Sequence, residues 1–272
     1  MDQMTYNYKI ILVGCGKMGQ AILKALLSSN LNAKICVIDP QIKPFNHQSN
    51  KELIFIKDIN QLPDNFTHNI LLFAVKPQII TDIITPYTSL INKDTTIMSI
   101  LAGVPVKFFT RIFGQNIPIV RLMPNLGAEF NKSTTFLYSN QLNNKNIIEE
   151  LVKSFGNFVW LNDEQQMHQA TAIAGSGPAY YFLFFKYFTE YLIEHGFDNN
   201  TAKEIVTNTC DAALSMAQHS NDFEQLIANV TSPKGTTDAA LRIFQEQDQL
   251  KKIFNKALTS ASNRSQELAN NV

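Results

Sequence analysis

The stretch Lys9-Ile10-Ile11-Leu12-Val13-Gly14-Cys15-Gly16-Lys17-Met18-Gly19 decides the fold of this chain. Its apolar first half, rich in β-branched residues, predicts a buried strand. The second half carries glycines at the G-x-G-x-x-G spacing, and a helical pattern with one apolar face follows it. In such a loop the first glycine allows a tight turn, the second lets a pyrophosphate approach the backbone, and the third lets the helix pack on the strand.

A second strand, Ile35-Cys36-Val37-Ile38, ends at Asp39, twenty positions after Gly19. Strand, glycine loop, helix, strand and acid in this order predict a dinucleotide-binding unit. The carboxylate of Asp39 could accept hydrogen bonds from the ribose hydroxyls and repel a 2′-phosphate, which would favour NADH over NADPH. Asp39 could equally cap a turn, since Pro40 follows it, and both interpretations stay open.

Further apolar runs continue the alternation of strands and helices. They predict strands at residues 53–56, 70–75, 95–101, 117–122, 134–138 and 158–161, with a helix at 146–155. The last two strands are expected to be antiparallel or at the sheet edge. Ligands bind at the carboxyl ends of strands in such sheets. The loops at 75–77, 101–103 and 123–125 are therefore candidates for the binding site.

After Trp160 the strand patterns disappear and helical periodicity dominates. We expect an α/β protein with an N-terminal Rossmann-like doubly wound sheet in residues 1–162, followed by an all-helical C-terminal substrate-binding and dimerisation domain in residues 163–272. A helix that begins at Pro178 is apolar on nearly every side, so it must be buried. About 110 residues can hardly bury it alone, which predicts a subunit interface and at least a dimer.

The stretch Val230-Thr231-Ser232-Pro233-Lys234-Gly235-Thr236-Thr237 precedes a predicted helix start. The first amides of a helix lack internal partners and lie at its positive end, so they bind anions well. Hydroxyl groups at Ser232 and Thr237 would lie beside these amides. The stretch predicts a cradle for a small carboxylate or phosphate, and a plain capped turn is the alternative.

Composition narrows the class of protein. The chain has 272 residues, 45% of them hydrophobic, and 23 basic residues balance 23 acidic ones. A zero net charge argues against a nucleic-acid partner. Cys15, Cys36 and Cys210 have no metal-ligand spacing, nor do the five histidines, so no metal site is expected. No signal-peptide core or membrane-length apolar run occurs, which predicts a soluble, cytoplasmic protein without a membrane partner.

Six motifs together resemble the pyrroline-5-carboxylate reductase family over almost the whole chain. They are Gly14-x-Gly16-x-Met18-Gly19, Ala74-Val75-Lys76-Pro77-Gln78, Leu101-Ala102-Gly103-Val104, Val120-Arg121-x-Met123-Pro124-Asn125, Ala170-Thr171-Ala172 with Gly175-Ser176-Gly177-Pro178-Ala179-Tyr180, and Val230-Thr231-Ser232-Pro233-x-Gly235-Thr236-Thr237. The resemblance implies an oxidoreductase that reduces Δ1-pyrroline-5-carboxylate to L-proline with NADH or NADPH, the last step of proline biosynthesis. It also implies a homo-oligomer.

The same resemblance implies roles for individual residues. Thr237 would be the catalytic residue, with its hydroxyl beside the ring nitrogen, and Asn229 would meet the nicotinamide. The substrate-binding set is Ser232, Gly235, Thr236 and Thr237. The cofactor-binding set is Gly14, Cys15, Gly16, Lys17, Met18, Gly19, Asp39, Ala74, Val75, Lys76, Pro77, Leu101, Ala102 and Asn229.

Two departures from the family pattern affect these expectations. The family usually continues Met-Pro-Asn with Thr-Pro-Ala, whereas this chain has Leu126-Gly127-Ala128. A looser loop is expected here. Many members also carry a small hydroxyl or basic residue at the position of Asp39, so the family favours NADPH while the local charge favours NADH.

Two other functions are compatible with parts of the pattern. One is a related reductase, such as a hydroxy-acid dehydrogenase, which would place a lysine general acid on the first long helix of the second domain. Here that helix offers only Lys186, among aromatic residues. The other is a non-catalytic dinucleotide-binding sensor or scaffold, which only the altered loop at 126–128 supports.

Overall fold

The computed structural model describes residues 7–42, 49, 51–141 and 143–270. The chain forms two compact units. The first contains the residues up to Ser176 together with those from Ala261 onward, and the second is Gly177–Ser260. These units are defined by compactness. The predicted division at residues 162–163 into a cofactor-binding and a substrate-binding domain concerns function and stays a prediction.

The first unit is built on a sheet of eight described strands. They are β1 (Tyr8–Val13), β2 (Ala33–Ile38), β3 (Glu52–Ile56), β4 (Ile70–Phe73), β5 (Thr96–Ser99), β6 (Ile119–Met123), β7 (Ser133–Ser139) and β8 (Gly156–Trp160). Their order is β3-β2-β1-β4-β5-β6-β7-β8. The first six strands run parallel, in the 3-2-1-4-5-6 order of a doubly wound dinucleotide fold. The predicted fold class is confirmed.

The last two strands differ from the parallel core. Strand β7 is antiparallel to β6, and β8 pairs parallel to β7 and lies at the edge of the sheet. The register places the carboxyl ends of the central strands level with one another, because Val13 pairs with both Ile38 and Phe73, and Phe73 pairs with Ser99. The segments that follow these strands therefore begin at one edge of the sheet.

Helices cover both faces of this sheet. They are α1 (Lys17–Ser28), α2 (Ile80–Ile83), α3 (Val106–Phe113), α4 (Lys145–Lys153) and α5 (Gln166–Ala170). On one face, α1 and α4 bury Leu23, Leu26 and Ile148 against the sheet. On the other face, Phe109 of α3 packs beside Phe73 with ring centroids 5.9 Å apart.

Helix α5 continues into a π-helical turn, Thr171–Gly175, in which the Ser176 amide donates to the Thr171 carbonyl at 3.1 Å. The next helix, α6, begins at Gly177. The helix predicted to begin at Pro178 therefore begins one residue earlier. The reason is that Pro178 lies in the first turn of α6, where a missing N–H costs nothing.

The second unit is helical. It contains α6 (Gly177–Glu194), α7 (Asn199–Gln218), α8 (Phe223–Asn229), α9 (Thr236–Gln245) and the first part of α10 (Gln249–Asn270). Within α6, which is described throughout, Gly177 alone is buried, while Tyr181, Phe182 and Tyr191 are more than half exposed. No helix in the described part of the chain is long and apolar enough to cross a membrane.

Candidate active site

Two of the three loop glycines are required by the protein's own packing. Gly14 has φ +89°, and a Cβ there would lie 2.6 Å from Val75 Cγ1 and 2.9 Å from the Ala74 carbonyl oxygen. A Cβ on Gly19 would lie 2.5 Å from the Gly14 carbonyl oxygen. Both positions therefore exclude any side chain. This agrees with the tight turn predicted at Gly14 and the close helix packing predicted at Gly19.

Gly16 differs, because a Cβ there would meet nothing within 4 Å. Gly16 caps α1 without a side-chain hydrogen bond, and the first turn of α1 carries no acidic residue. The start of α1 thus has open space beside Gly16 and no side-chain cap on its first amides, an arrangement that accommodates a phosphate at the positive end of the helix. A cleft of about 510 Å³ adjoins this turn and is lined by Cys15, Gly16, Gln20, Lys24, Asp39, Gln41 and Ile42.

Asp39 ties the glycine loop to the end of β2. Its Oδ2 accepts a hydrogen bond from the Cys15 amide at 2.6 Å, and its Oδ1 accepts one from the Gln41 amide at 2.8 Å. The capping interpretation of Asp39 is thus supported directly, and ribose recognition stays a prediction. Burial, with the Asp39 charge second, raises the pKa of the Cys15 thiol to about 11, so Cys15 stays protonated at neutral pH.

The loops after β4 and β5 lie at the same edge of the sheet. The Ala74 amide donates to the Val13 carbonyl at 2.7 Å, and Val75 packs against Gly14. Lys76 is exposed and precedes a 3₁₀ turn that starts with Pro77. After β5, the Leu101 amide donates to Ser99 Oγ at 3.3 Å. Leu101 is buried, and Ala102 is half-buried beside it.

The remaining predicted site residues belong to the second unit. Asn229 ends α8, and its Oδ1 accepts a hydrogen bond from Gln225 Nε2 at 2.8 Å. Gly235 caps α9 with no side-chain hydrogen bond, so the amides of Thr236 and Thr237 in the first turn have no side-chain cap. Their placement in one site with the cofactor loops stays a prediction.

The role of Gly235 is steric. Its amide donates to the Ser232 carbonyl at 2.9 Å, so this N–H is already used inside the turn. A Cβ on Gly235 would lie 2.4 Å from Ser232 Oγ. The lack of a side chain therefore allows the Ser232 hydroxyl to lie against the start of α9. Substrate binding near Gly235 stays a prediction.

The loop that departs from the family pattern has its own anchors. Leu126–Phe130 forms a 3₁₀ turn that Asn125 caps, with the Gly127 amide donating to Asn125 Oδ1 at 2.9 Å. Asn125 Nδ2 donates in turn to the Ala174 carbonyl of the π-helical turn at 3.0 Å. A proline at 127 would lack the N–H of the first bond. These hydrogen bonds anchor the loop at Asn125, a role that no local sequence pattern indicates. A looser loop than in the family stays a prediction.

Metal ligands are not grouped in the part of the chain that the structure describes. No three His, Cys, Asp or Glu side chains there lie close enough to hold an ion.

The strand order, the glycine loop and the open start of α1 define a Rossmann-type dinucleotide-binding protein with an added helical region. Residues 9–103 match a family described as NADP oxidoreductase coenzyme F420-dependent. Residues 164–268 match a family described as pyrroline-5-carboxylate reductase dimerisation.

Relatives and solved structures agree with these matches over nearly the full length. Pyrroline-5-carboxylate reductase of Haemophilus influenzae is 31% identical over 265 residues, covering 95% of this chain and 97% of the relative. The reductase of Staphylococcus aureus is 31% identical, covering 96% and 98%. The Plasmodium falciparum pyrroline carboxylate reductase, solved with NADP bound, superposes with a TM-score of 0.83 at 26% identity and covers 97% and 99%.

A pyrroline-5-carboxylate reductase from Coxiella burnetii superposes with a TM-score of 0.82 at 27% identity, covering 96% of this chain and 98% of that one. The chain belongs to the pyrroline-5-carboxylate reductase family, and the resemblance inferred from its six motifs is confirmed.

Proposed function

We propose that the protein reduces Δ1-pyrroline-5-carboxylate to L-proline with NADH or NADPH, the last step of proline biosynthesis. The observation that carries the proposal is membership of this family over 95% of the chain. The open start of α1 adds support, since Gly16 leaves space where a pyrophosphate would lie. A cytoplasmic location belongs to the same proposal.

In this proposal the first unit holds the cofactor. The amides at the start of α1 bind the pyrophosphate, and Asp39 fixes the loop through the Cys15 amide while facing the adenosine ribose. The loops Ala74–Pro77 and Leu101–Ala102 line the rest of the cofactor, and Asn229 contacts its nicotinamide end. When bound, the reduced nicotinamide supplies the hydride.

The start of α9 holds the substrate. Its uncapped first amides bind the carboxylate, and Ser232 and Thr236 add polar contacts beside them. The Thr237 hydroxyl holds the ring nitrogen. An iminium nitrogen accepts the electron pair of the C=N bond without becoming negative, so no dedicated acid is required. The main task of these residues is to hold the two reacting carbons close together. Such positioning can lower the activation free energy of hydride transfer by about 7–11 kcal/mol.

The direct test is oxidation of NADH and NADPH, in parallel, with pyrroline-5-carboxylate as the substrate. Turnover with the imine and none with 2-keto acids is the expected result. Turnover of a keto acid alone would identify a hydroxy-acid dehydrogenase instead. Tight cofactor binding without turnover of either substrate would favour a non-catalytic sensor.

We further propose that the protein assembles through its helical region. The family match for residues 164–268 concerns dimerisation and supports a homo-oligomer. The apolar side chains that α6 exposes would then be covered by a second copy.

A further inference from the structure

The loop Leu101–Gly103, which the proposed function assigns to the cofactor, continues directly into α3, and the start of that helix is tethered. Glu164 Oε1 accepts a hydrogen bond from the Val106 amide at 2.8 Å, on the first residue of α3. The same oxygen accepts one from Arg121 Nη1 at 2.8 Å. Arg121 lies in β6 and is only 3% exposed. A partly buried ion pair, with Arg121 on its buried side, therefore fixes the C-terminal end of this connection.

The other side of the loop is covered by the end of α10. Gly103 has φ +81°, and a Cβ there would lie 2.9 Å from Leu268 Cβ and 2.9 Å from the Ala269 amide nitrogen. Both contacts lie within the first unit, which includes the chain from Ala261 onward. The last turns of α10 thus pack directly on the loop, and their position determines how much room the loop has.

One buried hydrogen bond sets that position. His168 Nδ1 and Ser265 Oγ are 2.9 Å apart, although 97 residues separate them in sequence. His168 is 6% exposed and Ser265 is 3% exposed. Ser265 lies one helical turn before Leu268 and Ala269, so a shift at Ser265 moves the residues that contact Gly103.

The charges around His168 keep this bond between neutral groups. Burial lowers the pKa of His168, the neighbouring Arg121 lowers it further, and Glu164 opposes them. At neutral pH the imidazole is therefore uncharged and can exchange one hydrogen bond with a hydroxyl. A cavity of about 330 Å³ lies among these groups and is lined by Gly103, Pro105, Arg121, Glu164, Gln165, His168, Gln266 and Ala269.

We propose that His168 and Ser265 are positioning residues for cofactor binding. Their hydrogen bond holds the last turns of α10 against Gly103, and this contact keeps Leu101 and Ala102 in the conformation that receives the cofactor. The inference rests on the proposed function only in assigning Leu101 and Ala102 to the cofactor.

The test compares Ser265→Ala with Ser260→Ala, a matched change at an exposed position of the same helix. Dissociation constants for NADH and NADPH are measured by fluorescence, together with KM for each substrate and the thermal midpoint. Ser265→Ala is expected to raise the cofactor dissociation constant about threefold to tenfold, the scale of one hydrogen bond. KM for the imine and all values for Ser260→Ala are expected to stay unchanged.

A double-mutant cycle tests whether the hydrogen bond between His168 and Ser265 causes the change in cofactor affinity. If the hydrogen bond acts as proposed, His168→Gln combined with Ser265→Ala weakens cofactor binding no more than the more damaging single change. Additive effects would overturn the proposal. So would a lower thermal midpoint of Ser265→Ala with unchanged cofactor affinity, which is the result of a purely structural bond. Cofactor binding by the wild type without imine turnover would count against the proposed function alone.

Discussion

At the scale of single residues, the glycine loop separates two kinds of glycine. Gly14 lacks room for a Cβ within the protein itself, whereas Gly16 lacks any neighbour within 4 Å. The same Gly→Ala change therefore makes a steric clash inside the protein at Gly14, whereas at Gly16 it fills space that a ligand would occupy. Together, the two positions separate the stability of the fold from binding of the dinucleotide.

Gly16→Ala is expected to lower the free energy of unfolding by no more than about 1 kcal/mol: alanine is a poorer helix N-cap than glycine, but Gly16 has φ −66° and its Cβ would meet no neighbour within 4 Å. The dissociation constants of NADH and NADPH are expected to rise at least tenfold, since the new methyl group occupies the path of the pyrophosphate. Gly14→Ala is the matched comparison and is expected to lower stability as well. Chemical denaturation measures the free energy of unfolding of each variant, and fluorescence titration measures its cofactor dissociation constants. Unchanged cofactor affinity in Gly16→Ala would place the pyrophosphate elsewhere.

Asp39 combines a structural role with a proposed role in cofactor choice. Asp39→Asn removes the negative charge and keeps one acceptor for the Cys15 or Gln41 amide. The ratio of kcat/KM for NADPH to that for NADH is expected to rise about fivefold to tenfold, because repulsion of the 2′-phosphate is lost. A loosened loop would weaken both cofactors alike. A constant ratio would therefore leave Asp39 only its capping role.

At the scale of helices and strands, the start of α9 links local geometry to the proposed chemistry. Thr237 lies in the first turn of α9, behind a Gly235 cap that offers no side chain to the helix amides. Thr237→Ala is expected to lower kcat/KM for the imine by about tenfold to 100-fold, the scale of one lost polar contact to the ring nitrogen. Thr237→Ser keeps the hydroxyl and is expected to retain most activity. Equal kinetics for the two variants would remove the hydroxyl from the mechanism.

Elements were predictable where the local pattern alone determines them. The apolar runs of β1, β2 and β4 are continuous and buried, so their periodicity is sufficient. The predicted strand at 70–75 nevertheless ends at Phe73, because Ala74 and Val75 turn toward the glycine loop. Helix α3 was not predicted, because its eight residues, Val-Lys-Phe-Phe-Thr-Arg-Ile-Phe, also suit a strand.

Some features of the site depend on contacts that no local pattern contains. The turn at Thr171–Gly175 has the hydrogen bonds of a π-helix instead of those of an α-helix. The Ala174 carbonyl in this turn accepts a hydrogen bond from Asn125 Nδ2. The bond between His168 and Ser265 joins segments 97 residues apart. The motifs predicted the glycine loop because its three glycines act within one short segment.

At the scale of the whole molecule, the aromatic side chains that α6 exposes require a partner. Tyr181 is 64% exposed, Phe182 65% and Tyr191 61%, and they point to different sides of the helix, so most of its circumference presents large apolar groups to water. A zero net charge places no long-range repulsion between two copies. A second copy of this chain is therefore the partner that we propose for α6.

Phe182→Glu is expected to shift the protein from an oligomer to a monomer, because a buried carboxylate at an apolar interface has no partner. Sedimentation velocity of the wild type and the variant measures the change. Lys186→Glu is the control for added negative charge on the same helix, where the lysine is already 63% exposed, pairs with Glu190 at 3.6 Å and lies over the Tyr187 ring at 5.9 Å from its centroid. A wild type that sediments as a monomer would rule out the interface. An oligomer that survives Phe182→Glu unchanged would move the interface to another face of the helical unit.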